Sequence, residues 1–539
     1  MNVIVGGGVV GLSIAWRLAR AGSPVTVVDP APGRGASYAA AGMLAPVSEV
    51  AYTEEPLLRL GAASLSRWPS FAAELAADAG LDDGSAAGFA TGPAGGTGSG
   101  FGAGFGGGTG SGFGAGFGSE TGSGTGAGFG SETGSGFGGG FGRVAGEAGS
   151  MEAARRGLDL RADGTLDVAF GADDLAALDD LAAFMDKLGL RVERLTGREC
   201  RRLEPMLAPS VRGGLLAPGD AWVDPRRVTA ALLAALDRLG VPLVRARATG
   251  LLRDGDTGSG VGTGAAAGAV IGVRLEPDPG QPGAAVREIA ADRVVLAAGA
   301  WSGELAGVPV RPIKGQIMRL RSPQPLLGRC VRGMVHGAPV YLVPRGDGEL
   351  VLGATQEELG FDTRVTAGGL YELLRDAREL VPGVTELEVA DVVAGLRPGT
   401  PDNLPIIGPG EAPGLVLATG HHRGGVLLAP LTAALVTATL TTPAGATPSP
   451  ATPTTVTPPS GAAPKGPTPS GAASSGAAAS RGTASPGGPA SSGAASSGAA
   501  ASSGVASRGA GSLPGVGILT GEEGELAALC SPARFRDIS

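Results

Sequence analysis

The sequence predicts an α/β protein of two lobes that also carries long segments of low complexity. The chain opens with a strand-like run, a glycine-rich turn and a helix-like run over residues 2–22. The same order of strand, glycine-rich turn and helix returns over residues 415–436. The 98 Gly and 41 Pro residues make up about a quarter of the 539, roughly double the ordinary share. Because they are clustered, they indicate unstructured segments attached to a folded body.

The composition excludes several function classes. Lys and Arg total 42 against 50 Asp and Glu, so the net charge is −8 and no basic surface for nucleic acid is expected. The three cysteines, Cys200, Cys330 and Cys530, are too few and too scattered for a disulfide framework and fit a reducing cytosol. With only three histidines, a Cys/His metal cluster is not expected. We therefore predict a cytoplasmic protein without a metal and without a nucleic-acid partner.

The two longest apolar runs are not typical of membrane segments. The N-terminal run lacks the positively charged start and the cleavage site of a signal peptide. The other run, residues 424–442, contains Pro430, and its strongly apolar part is shorter than the ~20 residues that a membrane span needs. We expect this run to form a buried helix, and we expect no membrane partner.

Two segments have low complexity. Residues 95–142 consist of four tandem twelve-residue units, and GGTGSGFGAGFG occurs twice among them. Glycine at nearly every second position makes ordering of the backbone too costly for the few Phe side chains to offset, so we expect disorder. Self-association of these Phe-Gly repeats is left open as an alternative role. Residues 443–512 are typical of a flexible tether, and the shorter stretch 255–268 is expected to be the loop of a β-hairpin.

The N-terminal motif is typical of a Rossmann-type dinucleotide-binding unit. Gly6, Gly8 and Gly11 form G-x-G-x-x-G between a strand over residues 2–5 and the helix that follows. The first glycine permits the tight turn, the second lets the backbone approach a pyrophosphate, and the third lets helix and strand pack closely. The next strand ends at Asp29, where a carboxylate can accept a hydrogen bond from a ribose hydroxyl.

The glycine motif does not separate NAD from FAD, but the segments downstream of it favour a flavin. Small residues fill 33–49, where a backbone could lie against a flat ring system. A second strand ends in a glycine-containing turn within 292–305, and the segment 415–436 presents a second helix N-terminus. A site assembled from both ends of the chain suits FAD, which is long and fully enclosed.

Eight sequence blocks together resemble a known family. They are GGGVVG at 6–11, SYAAAGMLA at 37–45, VLAAGAWSG at 295–303, RPIKGQIMRL at 311–320, YLVPR at 341–345, VLGAT at 351–355, AGLRPGTPDNLPIIG at 394–408 and GHHRGGVLLAP at 420–430. In this order they resemble the flavin-dependent D-amino-acid oxidase superfamily, and within it most closely the FAD-dependent glycine oxidases of thiamine biosynthesis (ThiO type). The resemblance implies a Rossmann-type FAD-binding domain interleaved with an antiparallel-sheet substrate-binding domain.

The resemblance also implies a division of the chain. The expected parts are the first part of the FAD-binding domain at 1–84, the Gly/Phe-rich disordered insertion at 85–150, interleaved substrate-binding and FAD-binding parts at 151–442, the Ala/Ser/Gly/Pro-rich disordered segment at 443–512 and a C-terminal segment at 513–539. Both low-complexity segments then fall outside the blocks that carry the resemblance.

The resemblance implies how a small amino acid would be held. Arg397, whose planar guanidinium suits a carboxylate, and the Tyr341 hydroxyl would bind the substrate carboxylate. Arg423 would lie near flavin and substrate, and Met43 would line the substrate pocket. Each residue also has a purely structural alternative. Arg397 could be a loop arginine beside Pro398, and Tyr341 a half-buried tyrosine of a strand. Arg423 could be a charge placed near turn carbonyls, and Met43 a core methionine.

Further residues are implied to contact FAD. They are Gly6, Gly8, Val9, Val10, Gly11, Asp29, Ala41, Gly42, Met43, Ala248, Gly299, Arg423, Gly424, Gly425, Val426 and Leu427. Hydride transfer to a flavin demands no acid or base residue, so neither His421 nor His422 is assigned as a catalyst. Lys314 could lie near the flavin or in a structural turn. Pro339 stands where family members can carry a histidine, which leaves the fine substrate specificity open.

The implied reaction is the oxidation of glycine or a similar small amino acid. Hydride passes from Cα to FAD, O2 reoxidises the flavin to give H2O2, and the imine is hydrolysed to glyoxylate and ammonia or passes to thiazole synthase. Three alternatives stay open: a D-amino-acid or sarcosine oxidase, a dehydrogenase of the same fold, and a catalytically inactive self-associating scaffold. A homo-oligomer is compatible with the sequence but is not determined by it.

Overall fold

The computed structural model of the protein describes residues 1–49, 54–81, 147–255, 268–277, 287–441 and 521–535. These residues belong to the unit formed by Met1–Thr441 and Ile518–Ser539, and a second unit, Thr442–Gly517, lies outside them. The predictions for the repeats at 95–142, for the segment at 443–512 and for the centre of the 255–268 stretch also concern residues outside this range. No helix in the described ranges combines the length and apolar character of a membrane span.

Strands and helices alternate along the chain. The strands are β1 (Asn2–Val5), β2 (Val25–Val28), β3 (Met43–Leu44), β4 (Thr165–Ala169), β5 (Glu193–Thr196), β6 (Gly213–Ala217), β7 (Ala221–Trp222), β8 (Leu243–Val244), β9 (Ala248–Arg253), β10 (Val270–Leu275), β11 (Arg287–Ala290), β12 (Arg293–Leu296), β13 (Arg311–Arg321), β14 (Cys330–Val335), β15 (Ala338–Pro344), β16 (Glu349–Gly353), β17 (Glu388–Gly399), β18 (Ile406–Pro409) and β19 (Leu415–Thr419). The helices are α1 (Val9–Arg20), α2 (Ala36–Ala39), α3 (Glu55–Leu65), α4 (Trp68–Ala79), α5 (Glu147–Leu158), α6 (Ala172–Lys187), α7 (Gly197–Leu203), α8 (Pro225–Arg238), α9 (Ser302–Ala306), α10 (Ala367–Leu380), α11 (Ala429–Thr441) and α12 (Gly521–Leu529). Short 3-10 helices lie at Gly299–Trp301, Pro382–Glu386, His422–Gly424 and Pro532–Phe535.

The first large sheet has the strand order β18-β19-β12-β1-β2-β8. Its strands are parallel except β18, which runs antiparallel to β19. Parallel strands are covered on both faces and are therefore continuously apolar, as in β1, where Val3 and Ile4 are fully buried. This sheet joins strands from the start, middle and end of the chain, as expected for a site assembled from both ends.

The second large sheet has the order β17-β13-β16-β15-β14-β4-β6-β5. All neighbours are antiparallel except β4 and β14, which are parallel. β13 and β17 pair along their whole length, from Arg311 opposite Gly399 to Arg321 opposite Glu388. The predicted combination of a Rossmann-type sheet with a largely antiparallel sheet is confirmed.

Aromatic packing holds α1 in place. The Trp16 and Phe71 rings meet edge-on with centroids 5.1 Å apart, and Trp68 meets Phe71 at 5.2 Å. All three side chains are almost fully buried, and Trp16 Nε1 donates a hydrogen bond to Asp78 Oδ2 at 2.8 Å. Because buried aromatic residues contribute large contact areas, this cluster fixes the direction of α1 and of the glycine turn before it.

Several predicted elements have the expected bounds, and others are shifted. β1, α1 and β2 surround the glycine turn as predicted, and β9 and β10 form the predicted hairpin. The buried helix predicted for 424–442 begins only at Ala429. The boundary predicted at residue 150 needs correction, because α5 begins at Glu147. Ala154 and Leu158 of α5 are fully buried in the core, and this burial stabilises the helix.

The C-terminal segment returns to the first sheet. Leu526 and Cys530 are buried, and the Ile407 N–H of β18 donates to the Cys530 carbonyl at 2.9 Å. The Arg534 guanidinium forms an ion pair with Asp402 at 2.6 Å. Residues far apart in the sequence therefore complete the β18 edge of the first sheet.

Candidate functional site

A cavity of about 840 Å³ lies at the carboxyl ends of the parallel strands. Its walls include the turns after β1, β2, β12 and β19, together with side chains of β13, β15 and β17 from the second large sheet. In open α/β sheets, ligands bind beyond the carboxyl ends of the strands. The cavity thus lies where the glycine motif predicts a nucleotide, and it continues to the second sheet.

Most of the predicted site residues line this cavity. They are Gly6, Gly8, Val9, Val10, Asp29, Ala41, Gly42, Met43, Ala248, Gly299, Tyr341, Arg397, Arg423, Gly425 and Val426. Gly11, Gly424 and Leu427 are not part of its lining. The structure therefore brings together residues that are separated by several hundred positions in the sequence.

The residues outside the lining have other contacts. Leu427 is buried in the core, and its carbonyl oxygen accepts hydrogen bonds from Ser64 Oγ at 2.6 Å and Trp68 Nε1 at 3.0 Å. The Gly424 N–H donates to the His421 carbonyl at 2.8 Å. The side chain of Leu427 thus packs in the core, and the predicted contact of Leu427 with FAD stays a prediction that concerns its backbone.

The glycine turn leaves no space for side chains at two of its positions. At Gly6, φ is +114°, and a Cβ would lie 2.2 Å from the Ala297 carbonyl oxygen. At Gly11, a Cβ would lie 1.9 Å from the Gly6 carbonyl oxygen. Gly6 is therefore required by the turn and Gly11 by the approach of α1 to β1.

The first turn of α1 faces the cavity. Gly8, the N-cap residue, precedes it in an extended conformation and provides no capping side chain. The Val9 N–H donates to Ser37 Oγ at 3.0 Å. An uncapped helix N-terminus attracts phosphate oxygens through its N–H groups and its dipole. The carboxylate of Asp29 lies beside this turn and accepts from the Gly7 N–H at 2.6 Å and the Ala31 N–H at 2.7 Å.

Arg397 and Tyr341 meet at the other end of the cavity. Arg397 Nη1 donates to the Thr355 carbonyl at 3.1 Å, which fixes the guanidinium in place. Burial raises the pKa of Tyr341 to about 12, against the opposing charge of Arg397. The phenol therefore keeps its proton at neutral pH and can donate it to an acceptor.

Two glycines make room for these side chains. A Cβ on Gly315 would lie 2.3 Å from Arg397 Nη1, and a Cβ on Gly353 would lie 2.5 Å from the Tyr341 hydroxyl. Because either contact would displace the side chain, Gly315 and Gly353 determine where the two donors point.

Arg423 is held by acidic and backbone groups. Its Nη2 donates to the Glu49 carbonyl at 2.9 Å and contacts the Glu54 carboxylate. Met43 Sδ lies 3.6 Å from Cys330 Sγ and faces the cavity. Arg423 thus lines the cavity, and its guanidinium is already engaged by the protein.

His421 and His422 line the cavity as neutral groups. Burial lowers the pKa of His421 to about 3, and His421 Nε2 lies 2.9 Å from Thr432 Oγ1. Burial, together with the charges of Arg423 and Arg397, lowers the pKa of His422 to about 4. Neither imidazole carries a proton to donate as an imidazolium at neutral pH.

Lys314 points away from the cavity. Its neighbours Gly315 and Ile317 line the cavity, whereas the Lys314 ammonium lies 3.4 Å from both Glu357 and Asp362. Alternate residues of a strand face opposite sides, which explains the difference. The option that placed Lys314 near the flavin therefore does not hold, and the residue has a structural ion-pair role.

Among the lining residues that the sequence did not predict, Glu49 and Arg332 carry charges close to the predicted site arginines. Glu49 lies near Arg423, Arg397 and Arg332, and burial raises the pKa of its carboxyl group against their attraction. Arg332 lies on β14, with Nε 3.3 Å from Asp167 Oδ2. The signal for Arg332 is a single charged residue within the apolar strand CVRGMV, a pattern that indicates a buried polar function.

Asp220 makes the stability of the fold pH-dependent. Its Oδ2 accepts from Ser48 Oγ at 2.5 Å, and burial raises its pKa to about 7. The folded chain thus binds this proton more tightly than the unfolded chain. The protonated Asp220 carboxyl therefore contributes fully to the free energy of unfolding below pH ~4, and this contribution is lost as the pH rises through about 7. Its size is on the order of 4 kcal/mol at most.

We therefore expect the difference in Tm between Asp220→Asn and the parent protein to shift in favour of the variant as the pH rises from 5 to 8. Asn keeps an oxygen for Ser48 but has no buried charge. Thermal unfolding of both proteins at the two pH values measures this, with exposed Asp173→Asn as the control. An unchanged Tm difference between pH 5 and pH 8 would contradict the assignment.

Comparison with known proteins gives a consistent result. The sequence matches the family described as "FAD dependent oxidoreductase" (DAO) over residues 2–92 and 132–439. A glycine oxidase of Geobacillus kaustophilus is 29% identical over 441 residues, covering 80% of this chain and 90% of that protein. The crystal structure of glycine oxidase from the same organism superposes with a TM-score of 0.60 at 28% identity, covering 81% of this chain and 94% of that chain.

Other relatives match over shorter ranges. The bifunctional protein ThiO/ThiG of Nostoc sp. is 38% identical over 233 residues, which is 43% of this chain and 33% of that protein. The matched part therefore spans about a third of the length of these bifunctional relatives.

Proposed function

This chain belongs to the FAD dependent oxidoreductase (DAO) family, and from this premise we propose that it oxidises glycine or a similar small amino acid. The observation that carries the proposal is the meeting of Arg397 and Tyr341 in the cavity that begins at the glycine turn. The likeness to glycine oxidases over most of the chain supports it.

FAD is the cofactor of this enzyme, and the residues present fit it. The glycine turn admits a close backbone approach, and the first turn of α1 offers N–H groups to phosphate. Gly8 and Val10 would hold the pyrophosphate, and Asp29 would hold a ribose hydroxyl. Bound FAD supplies the hydride acceptor, and O2 then takes the electrons to form H2O2.

Arg397 would bind and orient the substrate carboxylate. Its anchored Nη1 leaves the remaining guanidinium donors for a carboxylate, and charge-assisted bonds to a planar fork are strong and directional. The neutral Tyr341 hydroxyl would donate a second hydrogen bond to the same carboxylate. Fixing this end of the substrate would hold its Cα in one orientation for transfer of the hydride to bound FAD.

Glu49 would accept a proton from the substrate ammonium. Its carboxyl group lines the cavity, and burial raises its pKa, so it is a stronger base than an exposed carboxylate. The amine must be neutral when hydride leaves Cα, and the pKa values of the two histidines that line the cavity, His421 and His422, are too low for them to hold that proton. Arg423 would position Glu49 through its bond to the Glu49 carbonyl.

The product would be an imine that hydrolyses to glyoxylate and ammonia. We propose thiazole synthase as the partner that takes up the imine; proteins named ThiO/ThiG, which carry both names in one chain, support this. Sarcosine and small D-amino acids are the alternative substrates, because Arg397 and Tyr341 would bind any amino-acid carboxylate.

An anaerobic absorbance titration tests the proposal. Glycine should bleach the flavin bands of the purified holoenzyme, and admission of air should restore them with one H2O2 formed per glyoxylate. Bleaching by sarcosine or D-alanine but not by glycine would move the function to those substrates. Persistent flavin bands with all three compounds would reject amino-acid oxidation.

A further inference from the structure

Arg332 has a hydrogen-bonding capacity that the protein does not use. It lines the cavity, and its recorded ion pair uses Nε, 3.3 Å from Asp167 Oδ2. Its Nη1 is buried and has no hydrogen-bond partner among the described residues. A buried guanidinium N–H without a hydrogen-bond partner destabilises the folded protein, because its desolvation is not compensated. This free-energy penalty is larger for a charged donor than for a neutral one. An acceptor on a ligand would remove this cost.

The charges along the cavity wall follow an order. Arg332 lies directly opposite Tyr341 in the β14–β15 register, and Arg397 lies on β17, on the other side of β15. Four strand spacings and four residues along the strands separate the backbones of Arg397 and Arg332, about 23 Å in a flat sheet, and both residues line the same cavity. Glu49 is within electrostatic reach of both arginines.

We propose that Arg332 binds a second anionic group of the substrate, so that the preferred substrates are amino acids with two carboxylates. The inference rests on the proposed function. One carboxylate lies on Arg397, the amine on Glu49, and the second carboxylate on Arg332, so the sequence of substrate charges complements that of the wall. Glycine remains a substrate through Arg397 alone.

The acids around Arg332 do not saturate it. Asp167 uses Nε only. Asp220 Oδ2 is occupied by Ser48, and Glu49 faces three guanidinium groups. Arg332 therefore keeps a guanidinium N–H without a hydrogen-bond partner among the described residues, and a ligand carboxylate at this wall of the cavity would bring an acceptor to that guanidinium.

The reaction with such a substrate balances as with glycine. For iminodiacetate, one N–CH2 carbon loses a hydride and the nitrogen loses a proton, and the two electrons leave through the same flavin and O2. Water adds to the resulting C=N bond, which breaks to give glyoxylate and glycine.

The test compares iminodiacetate with its monoamide, which has the same shape but lacks the second charge. With the holoenzyme, kcat/KM for iminodiacetate should exceed that for the monoamide about 10- to 100-fold. Arg332→Gln should abolish this ratio. Arg329→Gln is the matched control, because Arg329 is similarly buried and pairs with Glu204 at 2.9 Å outside the cavity.

Binding supplies a readout that needs no turnover. Diglycolate, the ether analogue of iminodiacetate, should perturb the flavin spectrum with a Kd at least tenfold below that of methoxyacetate, and Arg332→Gln should remove the difference. Asp167→Asn should increase the preference for diglycolate over methoxyacetate, because it removes the carboxylate that pairs with Arg332 Nε. Equal Kd values for the two ligands in the parent protein would overturn the inference even if glycine bleaches the flavin. Diglycolate selectivity with no turnover of any amino acid would reject the proposed function and retain the anion site.

Discussion

Arg397→Met is expected to lower kcat/KM for glycine about 100- to 1,000-fold while the protein keeps its FAD. The loss has two causes: the substrate carboxylate loses its charge-assisted partner, and it must still leave water to enter the cavity. Most of the effect should appear in KM, since the guanidinium binds the carboxylate in the ground state as well as in the transition state. Stopped-flow reduction of the flavin by glycine measures the effect.

Two further variants separate charge from geometry. Arg397→Lys keeps the charge but not the planar fork, so an intermediate loss is expected. Gly315→Ala leaves Arg397 in the chain but displaces its guanidinium, because the new Cβ would lie 2.3 Å from Nη1. Exposed Arg364→Gln is the control. If Arg397→Met retained the parental KM for glycine, carboxylate binding at this residue would be refuted.

Gly8→Val is expected to give a folded protein without FAD. Gly8 has φ −79° in an extended conformation, which valine adopts without strain. The nearest atom to a Cβ at this position is Ser37 Oγ at 3.3 Å, a close contact that requires the Ser37 side chain to shift by a few tenths of an ångström. The valine methyl groups would, however, occupy the space through which the backbone approaches the pyrophosphate.

The measurement is the Kd for FAD, with folding monitored by circular dichroism. We expect an increase of at least about 100-fold, consistent with the loss of several charge-assisted hydrogen bonds. Gly219→Val is the matched control, because Gly219 is exposed, has nothing within 4 Å of its Cβ position and lies outside the cavity. A yellow Gly8→Val enzyme with a parental Kd would exclude this turn as the phosphate site.

The cofactor end of the site was predictable because its chemistry is local in the sequence. Gly6, Gly8 and Gly11 specify one turn between one strand and one helix, and Asp29 ends the next strand of the same unit. Each requirement concerns backbone geometry within a few residues, so spacing alone identifies it. The site roles of Arg397 and Tyr341 could be predicted only from the resemblance of whole sequence blocks, because neither residue lies in a local motif that indicates its role.

Only the tertiary structure decided the substrate end. Side chains alternate between the two faces of β13, so Lys314 points toward Glu357 and away from the cavity. The turn before α11 places the Leu427 side chain in the core. Arg332 lies opposite Tyr341 because β14 pairs with β15. Glu49 lines the same cavity from the segment after β3, although 283 positions separate it from Arg332 in the sequence. Local residue patterns determined the elements and the nucleotide turn. Which side chains share a cavity depends on long-range strand pairing, and such pairing is set by burial over the whole chain rather than by neighbouring residues.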